Sequence, residues 1–128
     1  MQVPTMLSIF VIVLYALQPA APAQDGVASY YTIASSSNLT ASGEAMVDEA
    51  LTCAMISGNF GEHYRVTSED GRSVVVRLND RGPYIEGRNI DLSEAAMRAL
   101  GPDLQKGILK VSIQRIDEKS IPPLFQSN

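Results

Sequence analysis

The chain contains one cysteine, one histidine and no tryptophan in 128 residues, and each scarcity removes a class of protein. A lone Cys53 cannot close an internal disulfide, so a small cross-linked scaffold is excluded and the apolar core must supply most of the stability. No pattern near Cys53 activates a thiol, which leaves a packed core residue as its ordinary role. His63 has no Cys or His companions at ligand spacing, so no metal site is expected. Lys and Arg form no cluster and the formal net charge is -4, which argues against a nucleic-acid groove. Neither fact argues against a glycan ligand, because sugars are recognised by local hydrogen bonds and shaped surfaces.

Charge is missing altogether from residues 1–23. Met6 to Leu17 is nearly all apolar, and Ala21-Pro22-Ala23 places small residues at the spacing a signal peptidase reads. This predicts a secretory signal over 1–23, cleaved before Gln24, with an n-region whose only charge is the terminal amine. The apolar run falls short of the roughly 20 residues that span a bilayer, and Pro19 and Pro22 follow it closely, so no stable membrane insertion is expected after cleavage. No cysteine stands beside the cleavage site, so the expected product is periplasmic or secreted and is not a lipoprotein. The remaining 105 residues suffice for one compact domain, expected to be a monomer, and hold every acid and every Lys or Arg of the chain.

Period-two alternation dominates the chain from Gln24 onward. Val27 to Ile33 reads as a first strand, and Ala34 to Thr40, small and polar, as a loop leading to Ala41-Ser42-Gly43-Glu44. Met46 to Ile56 is read as a short turn or helix followed by a strand. His63 to Thr67 and Arg72 to Asn79 form a hairpin in which Asp70-Gly71 supplies a left-handed turn backbone. Val74, Val76 and Leu78 share one face, and Val75 on the other indicates that neither face is wholly solvated. The clearest helix is Glu94 to Leu100: Ser93 caps it, Leu92 and Met97 staple it, Glu94 and Arg98 pair along it, and Gly101-Pro102 stops it. Leu109, Val111 and Ile113 mark a closing strand before a loose tail over 118–128. These patterns support a compact β-rich domain over 24–117 with one helix.

Six blocks then occur in a recognisable order: Gly26-Val27-Ala28-Ser29-Tyr30-Tyr31, Leu39-Thr40-Ala41-Ser42-Gly43-Glu44, Leu51-Thr52-Cys53-Ala54-Met55, Val74 through Asp80, Arg81-Gly82-Pro83-Tyr84, and Gly87 through Ser93. In this the chain resembles the rare lipoprotein A family, over nearly the whole domain. The resemblance implies a mainly β fold, a single six-stranded double-psi β-barrel with one or two short helices. It also implies a lytic transglycosylase of the cell envelope that cleaves the β-1,4 linkage between N-acetylmuramic acid and N-acetylglucosamine in peptidoglycan strands, leaving a 1,6-anhydro end. No metal or organic cofactor is implied.

The family's catalytic aspartate maps to Asp80 and its second acid to Glu44, with Ser42 in place of the usual Asn. Asp80 is then the general acid and Glu44 gives electrostatic support, a division that glycosidic scission requires. Burial or a neighbouring acid would have to raise the pKa of Asp80, and Arg81 would oppose this. Asn79, Arg81 and Tyr84 of the same motif are expected to contact substrate, and Tyr30 and Tyr31 either to offer one sugar-facing and one core-facing ring or to be two structural rings. Asp91 and Ser93 are expected to be structural, Asp91 fixing the helix entrance or pairing with Arg88. Each acid also has a plainer role open to it: Asp80 can accept loop N–H groups or brace Arg81, and Glu44 can sit at an ordinary turn. Two departures matter. Met55 stands where many members have His, and a thioether neither exchanges protons nor donates a hydrogen bond; the family's frequent additional peptidoglycan-binding domain does not follow the barrel. They motivate a different class of function, a non-catalytic glycan-binding envelope protein. An expansin-like loosening module is a further alternative.

Overall fold

The computed structural model describes residues 21–35, 38–101, 104–117 and 119. Most of the expected signal segment and nearly all of the expected tail therefore lie outside the described residues. Six strands, β1 (Gln24–Tyr31), β2 (Thr52–Ala54), β3 (His63–Ser68), β4 (Ser73–Asp80), β5 (Ile90–Ser93) and β6 (Ile108–Ile116), close into a barrel in the order β1-β5-β2-β4-β3-β6. Among the described residues, one helix, α1 (Glu94–Leu100), and two short 3-10 turns complete it. Two pairings, β1 with β5 and β2 with β4, are parallel and the other four are antiparallel. Parallel neighbours cannot be joined by a tight turn, so β1 and β5, and β2 and β4, become neighbours only through connections that contain other strands, which brings segments distant in sequence together.

The long antiparallel wall follows the sequence pattern directly. Val74, Val76 and Leu78 are buried with Val66, Val111 and Ile113 in the core cluster. Val75, on the opposite face of β4, is buried as well, so both faces of this strand are covered; α1 packs against β4 with Ala96, Met97 and Leu100 in the same core cluster as Val74. The β3–β4 turn departs from expectation in one respect: Gly71 alone takes a positive φ, of 91°, and Asp70 does not. Asp70 instead accepts from the Arg72 backbone N–H at 3.1 Å, a local side-chain bond that shapes the turn without left-handed backbone.

Helix α1 begins as its cap predicts, with Ser93 Oγ accepting from the Ala96 N–H at 3.3 Å and donating to the Ala50 carbonyl at 2.6 Å. Arg98 reaches Glu94 at 2.6 Å on the exposed face. Strand β5 is the element that alternation did not reveal. Its four residues were expected to lead only into the helix, yet Ile90 and Leu92 are wholly buried while Asp91 alternates between them. At the N-terminal edge, Gln114 donates to the Ala21 carbonyl at 2.6 Å, so contacts with the barrel begin just before β1.

Candidate functional site

The site is built by register. Ser29 on β1 lies beside Asp91 on β5, Asp91 beside Ala54 on β2, and Ala54 beside Asp80 on β4. The last step depends on a bulge: Cys53 pairs with Leu78, and an unshifted ladder would set Ala54 beside Asn79, but the register slips by one at Cys53/Ala54 and sets Asp80 there instead. Two carboxylates from strands separated in sequence thus flank one alanine, their Cα atoms about 10 Å apart from the spacing of adjacent strands.

The two acids have different surroundings. Asp80 Oδ1 accepts from the backbone N–H groups of Ala41 and Arg81, both at 2.8 Å, whereas Oδ2 makes no hydrogen bond with the described residues. Asp91 Oδ1 accepts from Ser29 Oγ at 2.8 Å. Burial raises the Asp91 pKa above the ordinary carboxylate value; the Ser29 bond and Arg88 pull against this, and Asp80 adds to it. Asp91 belongs to β5, with Ser29 bonded to its side chain and with the charges of Arg88 and Asp80 both acting on it; Ser93 caps the helix as expected. The sequence carried a signal for this, an acid alternating between buried Ile90 and Leu92, which marks a strand.

Glu44 sits on a tight turn in which Thr40 N–H donates to the Glu44 carbonyl at 2.9 Å and Ser42 N–H to the Asn79 carbonyl at 3.2 Å. The turn is pinned to the end of β4, and Glu44 forms a two-pronged pair with Arg77, Oε1 with Nη1 at 2.7 Å and Oε2 with Nη2 at 2.8 Å. Arg77 accordingly lowers the Glu44 pKa. Ala41 of the same turn donates to Asp80 Oδ1 at 2.8 Å. Both expected acids therefore reach the same barrel end, but the acid in register with Asp80 is Asp91.

The remaining expected residues divide. Tyr84 is 79% exposed and presents an open ring. Tyr31 is buried, its hydroxyl 2.9 Å from Thr52 Oγ1 and its pKa pushed up to about 12 by burial. Tyr30 is half-buried and packs on the core. Neither ring is fully open. Asn79 is buried, and its Oδ1 finds no hydrogen-bond partner among the described residues. Arg81 turns its guanidinium toward the carbonyls of Met55, Ser57 and Gly58, the last at 2.7 Å, and stacks on Phe60 with 4.3 Å to the ring centroid. That clamp requires Gly58: its φ is +92°, and a Cβ there would stand 2.5 Å from the Tyr64 hydroxyl. Met55 is half-buried against the core and Cys53 is wholly buried, with burial pushing its thiol pKa up. Among the described residues, no three of His, Cys, Asp or Glu gather to hold a metal, and no helix is long and apolar enough to cross a membrane.

A closed six-stranded barrel with two parallel crossings and paired acids at one end defines a double-psi-like barrel class. Residues 23–113 match the profile of the family described as "Lytic transglycolase", and the chain belongs to that family. It is 47% identical over 92 residues to the Nostoc sp. protein named "Probable endolytic peptidoglycan transglycosylase RlpA", an alignment that covers 70% of this chain and 24% of that one. The chain spans only about a quarter of the length of the curated relatives it matches first. Among solved structures, the apo Clavibacter michiganensis expansin is 26% identical with a TM-score of 0.63, the alignment covering 79% of this chain and 54% of that one. The Streptomyces papain inhibitor, 22% identical with the same TM-score of 0.63, aligns over 77% of this chain and 98% of its own, and shows the shared fold.

Proposed function

We propose that the barrel binds peptidoglycan glycan strands across the row Ser29–Asp91–Ala54–Asp80. The observation that carries this is the register itself, which lines two carboxylates against one methyl side chain and leaves Asp80 Oδ2 open. Carboxylates accept from sugar hydroxyls and from N-acetyl N–H groups, and the exposed Tyr84 ring offers an apolar face for a pyranose. The polymer comes from the names of the similar proteins, and the fold is shared with an expansin as well as with transglycosylases. In keeping with this, residues 24–117 are the working domain, exported by the segment 1–23 to the periplasm or outside the cell as a monomer, with 118–128 as a tail. N-terminal sequencing of the exported protein is expected to begin at Gln24 or within a few residues of it.

A second reading, lytic cleavage, is favoured by the unequal acids. Asp91, whose surroundings favour the protonated form, hands its proton to the leaving glycosidic oxygen as the bond to C1 breaks. Asp80 takes the proton of the C6 hydroxyl as that oxygen closes on C1 to give the 1,6-anhydro end. Glu44, held by Arg77, keeps the 40–44 turn in place beside Asp80 and does not itself move a proton. One experiment separates the readings: wild-type protein is incubated with purified glycan strands, retention is measured, and released fragments are analysed by mass spectrometry. Binding without fragments leaves the glycan-binding function alone, anhydro ends establish cleavage, reducing ends indicate hydrolysis by water, and failure to bind removes both readings.

A further inference from the structure

The geometry points to a carboxylate-binding subsite formed by Arg88 and Lys106 in the recess beside Asp91, which takes an acidic substituent of the glycan. The inference rests on the glycan-binding reading and adds which chemical group the strand must carry. The recess, about 480 Å³, is lined by Ser29, Tyr30, Thr32 and Ser35 together with Arg88 and Lys106. Among the described residues no carboxylate lines it, in a chain whose formal net charge is -4. Two other surface recesses have mixed linings: one combines Lys110 with Asp25 and Glu69, and the other Arg72 and Lys106 with Glu69 and Asp70. Neither Arg88 nor Lys106 forms a salt bridge with a described residue, whereas Arg72, Arg77, Arg98 and Arg115 each do.

Position makes the recess a subsite. Ser29 belongs to its lining and also donates to Asp91, so the recess adjoins the row of acids along β1. Arg88 is the cation whose charge acts on Asp91. A strand laid along the row would carry its next sugar over Arg88 and Lys106, where a planar guanidinium and a mobile ammonium can both donate to one carboxylate. The group has two chemical sources in such a polymer, the lactyl carboxylate on the sugar and the carboxylates of an attached peptide. Attaching the peptide turns the lactyl carboxylate into an amide, so the sources can be told apart.

The test uses three probes on the exported protein: neutral N-acetylglucosamine tetramer, the peptide-free tetrasaccharide alternating with N-acetylmuramic acid, and the same tetrasaccharide bearing its peptides. Wild type is expected to bind one of the acidic probes about three- to ten-fold more tightly than the neutral one at low salt, and to lose that preference at high salt. Preference for the peptide-free probe assigns the sugar's carboxylate, and preference for the peptide-bearing probe assigns the peptide's. Lys106→Gln is expected to abolish the preference, and Lys106→Glu to reverse it. Arg88→Gln should do the same but also touches Asp91, so the Lys106 variants decide. Equal binding of all three probes, or a preference unchanged in Lys106→Glu, overturns the subsite and leaves the glycan-binding reading standing. Binding of none overturns the glycan reading and the subsite with it.

Discussion

Asp91 and Glu44 both lie near Asp80, carry the same functional group, and are held in opposite ways. Glu44 meets Arg77 through two hydrogen bonds on a side chain that is 45% exposed, so it is ionised, paired and close to water. Asp91 meets a neutral hydroxyl, is half-buried, and shares its neighbourhood with a second acid as well as with Arg88. The contrast separates holding a loop from doing chemistry. A fully paired carboxylate is a strut, whereas one kept short of compensation is poised to gain a proton or a ligand.

The largest expected effect is at Asp80. Asp80→Asn removes the open acceptor and, in the cleavage reading, the group that takes the C6 proton; release of anhydro-ended fragments is expected to fall about 10²- to 10⁴-fold with an unchanged circular dichroism spectrum. If Glu44→Gln falls as far, Glu44 is chemical and the contrast breaks.

Asp91→Asn is expected to cost activity on the same scale while raising the melting temperature by a few degrees at neutral pH. The sign follows from its raised pKa. The folded state holds the Asp91 proton over a range where the unfolded chain has lost it, so its favourable contribution is complete below the ordinary carboxylate pKa and disappears as pH rises through the folded value. Asparagine has no proton to lose and still accepts from Ser29. Thermal melts of wild type and variant from pH 3 to 8 should diverge as pH rises, and a variant that melts lower at neutral pH would show that the charged form of Asp91 is stabilising.

Glu44→Gln should be the mildest. An exposed ion pair contributes at most about 0.5 kcal/mol at physiological salt, because screening offsets its two short bonds. Here the pKa is lowered, so the contribution is present above the ordinary carboxylate value and is lost as pH falls through the folded one. Chemical denaturation of the pair should show a small difference at pH 7 that closes in acid. A loss of several kcal/mol would make the 40–44 turn a core element.

What could be read from the chain alone depended on how far apart the interacting residues stand. The β3–β4 hairpin, the cap and stop of α1 and the closing strand β6 rest on neighbours within a few positions, and their signals were plain. Strand β2 falls within the strand expected at the end of Met46 to Ile56, whereas β5, with four residues, is too short for alternation to stand out and runs straight into a helix whose cap masked it. Asp80 was identified through a motif, and its acceptance of loop N–H groups was among the roles open to it. Arg81 and Asn79 were expected at the substrate by proximity to Asp80 in sequence. In the fold, one is turned to the carbonyls of residues 55–58 and the other is buried.

The sequence by itself determined a β-rich domain with one capped helix, a core without disulfide support, and an acid at a strand end beside a glycine-proline loop. Only the tertiary structure decided which acid is set alongside Asp80. Ser29 and Asp91 are 62 residues apart, and Ala54 joins Asp91 to Asp80 only because one antiparallel pairing, one parallel pairing and a one-residue bulge align three separate strands. Register of that kind is set by how whole strands pack around a closed barrel, and no local window of residues contains it.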